Sequence, residues 1–190
     1  MDELRLSAVV NEADRCDTIS SIVVIRKLVP GDARAYREVR LNALKNDPGN
    51  YGSTYEEESK RDKLAFETYI ETQCPDHVVF GAFQGSDLVG ITSWFRDERS
   101  RLRHRGKITQ VYLASEFRGR GFSKLLVGAT IEDAFSNLEI ELLTLEVVTT
   151  NLPAVRLYES LGFKTYGVFE RYFKTGAEYL DQRFMVLARP

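Results

Sequence analysis

The chain has 190 residues, the size of one ordinary globular domain, and its 43% hydrophobic content is enough to bury a core. A formal net charge of -2 excludes strong whole-surface attraction to nucleic acid or to anionic membranes. Two cysteines, Cys16 and Cys74, and two histidines, His77 and His104, are too few and scattered for a disulfide framework or a metal cluster, which points to a reducing, cytoplasmic setting.

Residues 1–20 are mixed and polar, lack the apolar run of a secretory signal, and read as an extension outside the core. Nowhere does the chain approach the roughly 18 successive apolar residues that a membrane-spanning helix needs. From Ile22 the β-branched run IVVIRKLV predicts a buried strand, ending at Pro30-Gly31-Asp32. A first helix is expected over 32–45, with Ala35, Val39, Leu41, Ala43 and Leu44 as its apolar residues, stopped by Asp47-Pro48-Gly49-Asn50. A second is expected over 58–73, with Leu64, Phe66, Tyr69 and Ile70 on its apolar side. Strands follow at 77–84 and 88–95 about the turn Gly85-Ser86-Asp87, and at 107–114 after the basic stretch RDERSRLRHRGK. A broadly apolar helix runs from Gly119 to Asn137, LLTLEVV (142–148) is a nearly continuous apolar strand, and a helix over 151–161 stops at Gly162. Two last strands cover 163–173 and 179–188. This order of elements predicts an α/β domain over residues 21–190.

Chemistry concentrates in two places. Between strand 107–114 and the next helix stands Arg118-Gly119-Arg120-Gly121-Phe122-Ser123. Its glycines permit close backbone approach and positive φ, the free N–H groups of the helix start point at an anion, and the arginines can add charge-assisted hydrogen bonds. The same residues also suit a tight strand-to-helix turn with solvated arginines, and the spacing fits neither the P-loop nor the dinucleotide fingerprint. Downstream, Glu146 sits in the apolar strand 142–148, on the face of Thr144 and opposite Leu143, Leu145 and Val147. Asn151 suits a helix N-cap, and Tyr158, seven residues on, lies on the same helix face. Glu146 is either a partly desolvated carboxylate, usable as a base, or one paired with a nearby arginine. Tyr158 is either functional or an ordinary core aromatic.

Residues 105–165 resemble the GNAT superfamily of N-acetyltransferases, on the turn 118–123 followed by Asn151, Ala154, Leu157-Tyr158 and Gly162-Phe163. The order of elements over 22–188 agrees with that family. The resemblance implies a mixed, mostly antiparallel sheet of about seven strands flanked by about four helices, splayed between strands four and five. It implies acetyl-CoA as co-substrate and no metal. Main-chain groups of the Val111-Tyr112-Leu113 segment would pair with the pantetheine arm, and Arg118, Gly119, Arg120, Gly121, Phe122 and Ser123 would hold the pyrophosphate. Asn151 would contact the coenzyme or order the site. Tyr158 would protonate the departing thiolate, and Glu146, directly or through water, would deprotonate the amine. The spacing of Glu146 and Tyr158 resembles the base and acid of bacterial ribosomal-protein N-terminal acetyltransferases. Ser123 departs from the Gly or Ala usual in the family, and Lys107 stands where histone-type members keep a glutamate base.

The function expected from this resemblance is acetyl transfer to a primary amine of a small molecule or peptide by direct attack. Alternatives are a protein N-terminal acetyltransferase and a non-catalytic acyl-CoA sensor. No nucleic-acid or membrane partner is expected, and a homodimer is common in the family. In YGSTYEEESK, Tyr51, Tyr55 and the three glutamates suit either a cationic acceptor or a solvated helix start. The stretch 96–107 suits a solvated connection or an anion site.

Overall fold

The computed structural model describes residues 22–190, so the extension expected over 1–20, with Cys16, lies outside the described residues. Strand β1 (Val23–Lys27) leads through helices α1 (Ala33–Asn46), α2 (Tyr55–Ser59) and α3 (Ala65–Thr72) to strands β2 (His77–Gln84), β3 (Asp87–Arg96) and β4 (Arg105–Leu113). Helix α4 (Phe122–Ser136), strand β5 (Leu142–Val148), helix α5 (Leu152–Ser160) and strands β6 (Lys164–Thr175) and β7 (Glu178–Ala188) complete it. Among the described residues no helix is long and apolar enough to cross a membrane.

Among the described residues there are five α-helices where about four were expected, because the segment 58–73 is broken in two. Leu64, 2% exposed, is extended (φ -77°, ψ 149°) and drives its side chain into the core. The buried Glu67 carboxylate accepts from the Leu64 N–H at 2.5 Å and from Arg37 at 2.8 Å, so the chain restarts as a new helix there. The stripe of α1 also differs in phase: its buried residues are Ala33, Tyr36, Arg40, Ala43 and Leu44. That set is an uninterrupted 3.6-residue series, but it holds a tyrosine and an arginine, which apolarity alone passes over.

The strands form one mixed sheet in the order β1-β2-β3-β4-β5-β7-β6. Among the described residues only β4 and β5, joined by the α4 crossover, are parallel. Their ladder holds Arg105, Gly106 and Lys107 against Leu142, Leu143 and Thr144, and then stops. Beyond it the strands part, as the family resemblance implies. On the other side of β4, Ile91 pairs with Tyr112 but Ser93 with Thr109, which leaves an extra residue in β4 with Gln110 at φ +56°. Such a bulge bends its strand, and this one falls where β4 leaves β5. The Tyr36 hydroxyl donates to Gln110 Oε1 at 2.7 Å and ties α1 to the bend.

Alternation along the strands sorts the core onto two faces. Val79, Phe83, Ile91 and Tyr112 pack with Tyr36, Ala43 and Ile70 of α1 and α3. Phe80, Ala82 and Leu113 pack with Leu126 of α4, while Ile108, Leu143, Leu145 and Met185 pack with Val127 of α4 and Val155 and Tyr158 of α5. The parted strands therefore leave a slit connecting an α1 face and an α4/α5 face.

Candidate active site

The slit opens into a cavity of about 960 Å³. One end is the turn after β4. Gly119 and Gly121 stand at φ +76° and +81°, and a Cβ at either would meet nothing within 4 Å. Glycine is therefore required here by backbone conformation rather than by crowding. Among the described residues, no backbone carbonyl accepts from the N–H groups of Gly119 to Ser123, whereas Lys124 and Leu125 already bond back to Gly121 O. Unpaired donors at the start of a 15-residue helix are suited to hold an anion.

The arginines of the turn differ. Arg118 Nε donates to Leu113 O at 2.8 Å and its Nη2 to Asp47 Oδ2 at 2.5 Å, so it fastens the turn to β4 and to the loop after α1. Arg120 is exposed and does not line the cavity, and Phe122 packs beneath the turn against the core that holds Leu126. Gly119, Gly121, Ser123 and the unanticipated Lys124 do line it.

Strand β4 forms one rim. The Ala114 N–H bonds Val89 O of β3, so by alternation the main-chain groups of Leu113 and Val111 turn the other way, into the cleft. Arg118 takes Leu113 O, and the Tyr51 hydroxyl donates to Val111 O at 3.0 Å. Tyr112 is buried under Arg118, whose guanidinium lies 5.6 Å from its ring.

Helix α5 forms the other rim. Asn151 caps it, its Oδ1 accepting from the Ala154 N–H at 3.2 Å, while its Nδ2 donates to Asn50 Oδ1 at 3.0 Å. Two turns on, Tyr158 is 6% exposed and meets Phe163 edge-on, with ring centroids 6.1 Å apart. Among the described residues no hydrogen bond engages its hydroxyl, although Tyr158 lines the cavity. Burial, reinforced by the neighbouring Tyr51, pushes that hydroxyl well above the ordinary tyrosine value.

Glu146 and Thr144 lie on the α1 face as alternation requires, and Leu143, Leu145 and Val147 are buried on the other. Glu146 is paired, with a lysine rather than an arginine: Lys107 Nζ lies 2.5 Å from Oε1, with side chains 36% and 27% exposed. The three glutamates of α2 do not line the cavity. Glu57 instead closes a capping box with Thr54, accepting from its N–H at 3.1 Å, so the glutamates belong to a helix start, while Tyr51 of the same segment lines the cavity. In the basic stretch, Arg96 is 6% exposed and bonds Asp76 and Glu139, Arg99 pairs with Asp97, and Arg103 reaches Asp76.

Several cavity residues were not singled out from sequence. Arg40 (6% exposed) and Gln182 (4%) carry buried polar atoms, Nη1 and Oε1, without hydrogen-bond partners among the described residues, and both line the cavity. An arginine in phase with Tyr36 and Ala43 on α1 is a signal the sequence did contain. Gln182 carries none, because its place opposite Val148 is a matter of strand register.

A mixed sheet parted at its one parallel junction, with an anion-ready helix start at the gap, defines an acetyltransferase fold. The structure of yncA from Salmonella typhimurium, solved with acetyl-CoA, superposes with a TM-score of 0.76 at 19% identity, covering 88% of this chain and 94% of that one. Residues 41–163 match the model of the Acetyltransferase (GNAT) family, and the chain belongs to that family. The Escherichia coli L-amino acid N-acetyltransferase AaaT is 25% identical over 165 residues, covering 87% of this chain and 97% of AaaT. The spermidine N(1)-acetyltransferase of Vibrio cholerae is 31% identical over 84 residues, 44% of this chain, and the match spans about half (49%) of that enzyme.

Proposed function

We propose that this chain transfers an acetyl group from acetyl-CoA to a primary amine of a small molecule or peptide by direct attack. The observation that carries this reading is the slit. It joins an anion-binding turn on the α4/α5 face to a polar and aromatic chamber on the α1 face, so donor and acceptor can meet from opposite sides. Acetyl-CoA supplies the activated thioester. The free N–H groups of Gly119 to Ser123 fit its pyrophosphate, with Lys124 beside them and Arg118 holding the turn in place. Main-chain groups of Val111 and Leu113 fit the pantetheine arm and polarise the carbonyl.

On the acceptor side, Glu146 takes the ammonium proton directly or through water, with Lys107 fixing its orientation. Tyr158, held protonated by burial, donates to the departing sulfur. Neither step needs a covalent enzyme intermediate. The assay that tests the reading follows free thiol release from acetyl-CoA across amino acids, polyamines, aminoglycosides and peptides. Absence of release with every acceptor, together with tight acetyl-CoA binding, would favour the non-catalytic sensor. Release confined to peptides with a free N-terminus would favour the protein N-terminal acetyltransferase, which the Glu146 and Tyr158 spacing supports. For assembly we propose a homodimer along β6, an edge strand of the sheet, where Tyr166, Val168 and Phe169 are 51–61% exposed.

A further inference from the structure

The charged side chains on the α1 side of the cavity are paired, with one exception. Lys107 holds Glu146 and Arg118 holds Asp47, but Arg40 has no ion pair or hydrogen bond among the described residues. A buried guanidinium without an anion is costly to fold, so its retention at a cavity wall calls for a ligand that completes it. Its setting is built. The Tyr51 ring faces the guanidinium at 4.8 Å, and the Tyr51 hydroxyl is anchored on Val111 O at 3.0 Å. A guanidinium lying over an aromatic face keeps its in-plane N–H donors for other partners, and two of them match a carboxylate with parallel hydrogen bonds. The chain Arg40–Tyr51–Val111 sets this edge beside the β4 rim of the slit. On the same face, the buried Gln182 Oε1 lacks a donor and can accept an N–H from the same molecule.

We propose that the acceptor carries a carboxylate alongside its amine, as a free amino acid does, and that Arg40 binds that carboxylate. This rests on the acetyltransferase reading and narrows it to zwitterionic acceptors. Arg40 and Gln182 then act as specificity residues, and their unpaired atoms are completed when the acceptor binds.

The test measures kcat and KM by thiol release for the twenty standard amino acids and for the carboxamide of each. The carboxamides have the less basic amines, so intrinsic reactivity favours them. The wild-type protein is expected to prefer at least one amino acid over its carboxamide by about tenfold or more in kcat/KM, the scale of a hydrogen bond to a charged group. Arg40→Met should collapse that ratio toward unity through the KM of the amino acid, and Arg40→Lys should restore part of it. Acetyl-CoA binding by calorimetry shows whether each variant is folded. If Arg40→Met does not fold, the wild-type ratio decides alone. Equal turnover of amino acids and carboxamides, or a preference that survives Arg40→Met, overturns the carboxylate site and leaves acetyl transfer standing. No thiol release with any amine overturns the acetyltransferase reading, and the carboxylate site with it.

Discussion

Tyr158 and Glu146 present opposite problems to an enzyme. The tyrosine hydroxyl is buried and free of hydrogen bonds among the described residues, whereas the carboxylate is partly open and already paired with Lys107. A buried phenol stays protonated, which suits an acid. Tyr158→Phe should lower kcat by about 10²-fold while leaving the dissociation constant for acetyl-CoA nearly unchanged, by thiol release and calorimetry. An unaltered kcat would remove Tyr158 from the acid role. Its raised value also means that no fall in rate should appear near pH 10, the ordinary tyrosine value, from ionisation of this group in the folded enzyme. Glu146→Gln should lower kcat by a similar factor of about 10², by thiol release. An unaltered kcat would assign the base to another group or to water alone.

At the scale of the element, we propose that the turn 118–123 works through backbone geometry more than through arginine charge. Gly121→Ala puts a side chain at φ +81°, a strain of about 1–2 kcal/mol with no clash to relieve, and should weaken acetyl-CoA binding by calorimetry. Arg118→Ala removes the bonds to Leu113 O and Asp47 and should weaken coenzyme binding more than Arg120→Ala, whose side chain is exposed outside the cavity. Equal effects of the two arginines would show that both act on phosphate directly. This element was legible in sequence because a strand, two glycines and an apolar helix are all local features. The partners of Arg118 were not, since Asp47 lies 71 residues away.

Across the whole molecule, burial raises the hydroxyls of Tyr36, Tyr51 and Tyr158 above the ordinary value. A group whose folded value is raised contributes stability that is fully present below its unfolded value and lost as pH rises toward the folded one. The fold should therefore keep its stability up to about pH 10 and lose it above. Tyrosinate absorbance from these three should appear together with unfolding, followed by ultraviolet spectroscopy and circular dichroism. Absorbance of all nine tyrosines rising before any loss of ellipticity would contradict this. The exposed apolar edge of β6 belongs to the same scale. Phe169→Lys should shift sedimentation toward the monomer if β6 joins two copies, and an unchanged profile would place the dimer contact elsewhere.

Sequence alone determined the strand and helix order, the glycine turn, the Asn151–Tyr158 face and the face on which Glu146 lies. Each of these depends on periodicity or on the intrinsic conformational freedom of one residue, both of which are written locally. Tertiary structure decided the rest. It gave Glu146 a lysine partner through the short parallel register of β4 and β5, broke the second helix at Leu64, and anchored Arg118 on Leu113 O and Asp47. It also placed Arg40, whose helical phase was readable, in a chamber assembled from α1, β4, β5 and β7. The physical reason is common to all four: pairing and desolvation depend on which distant segments pack together, and no local pattern carries that information.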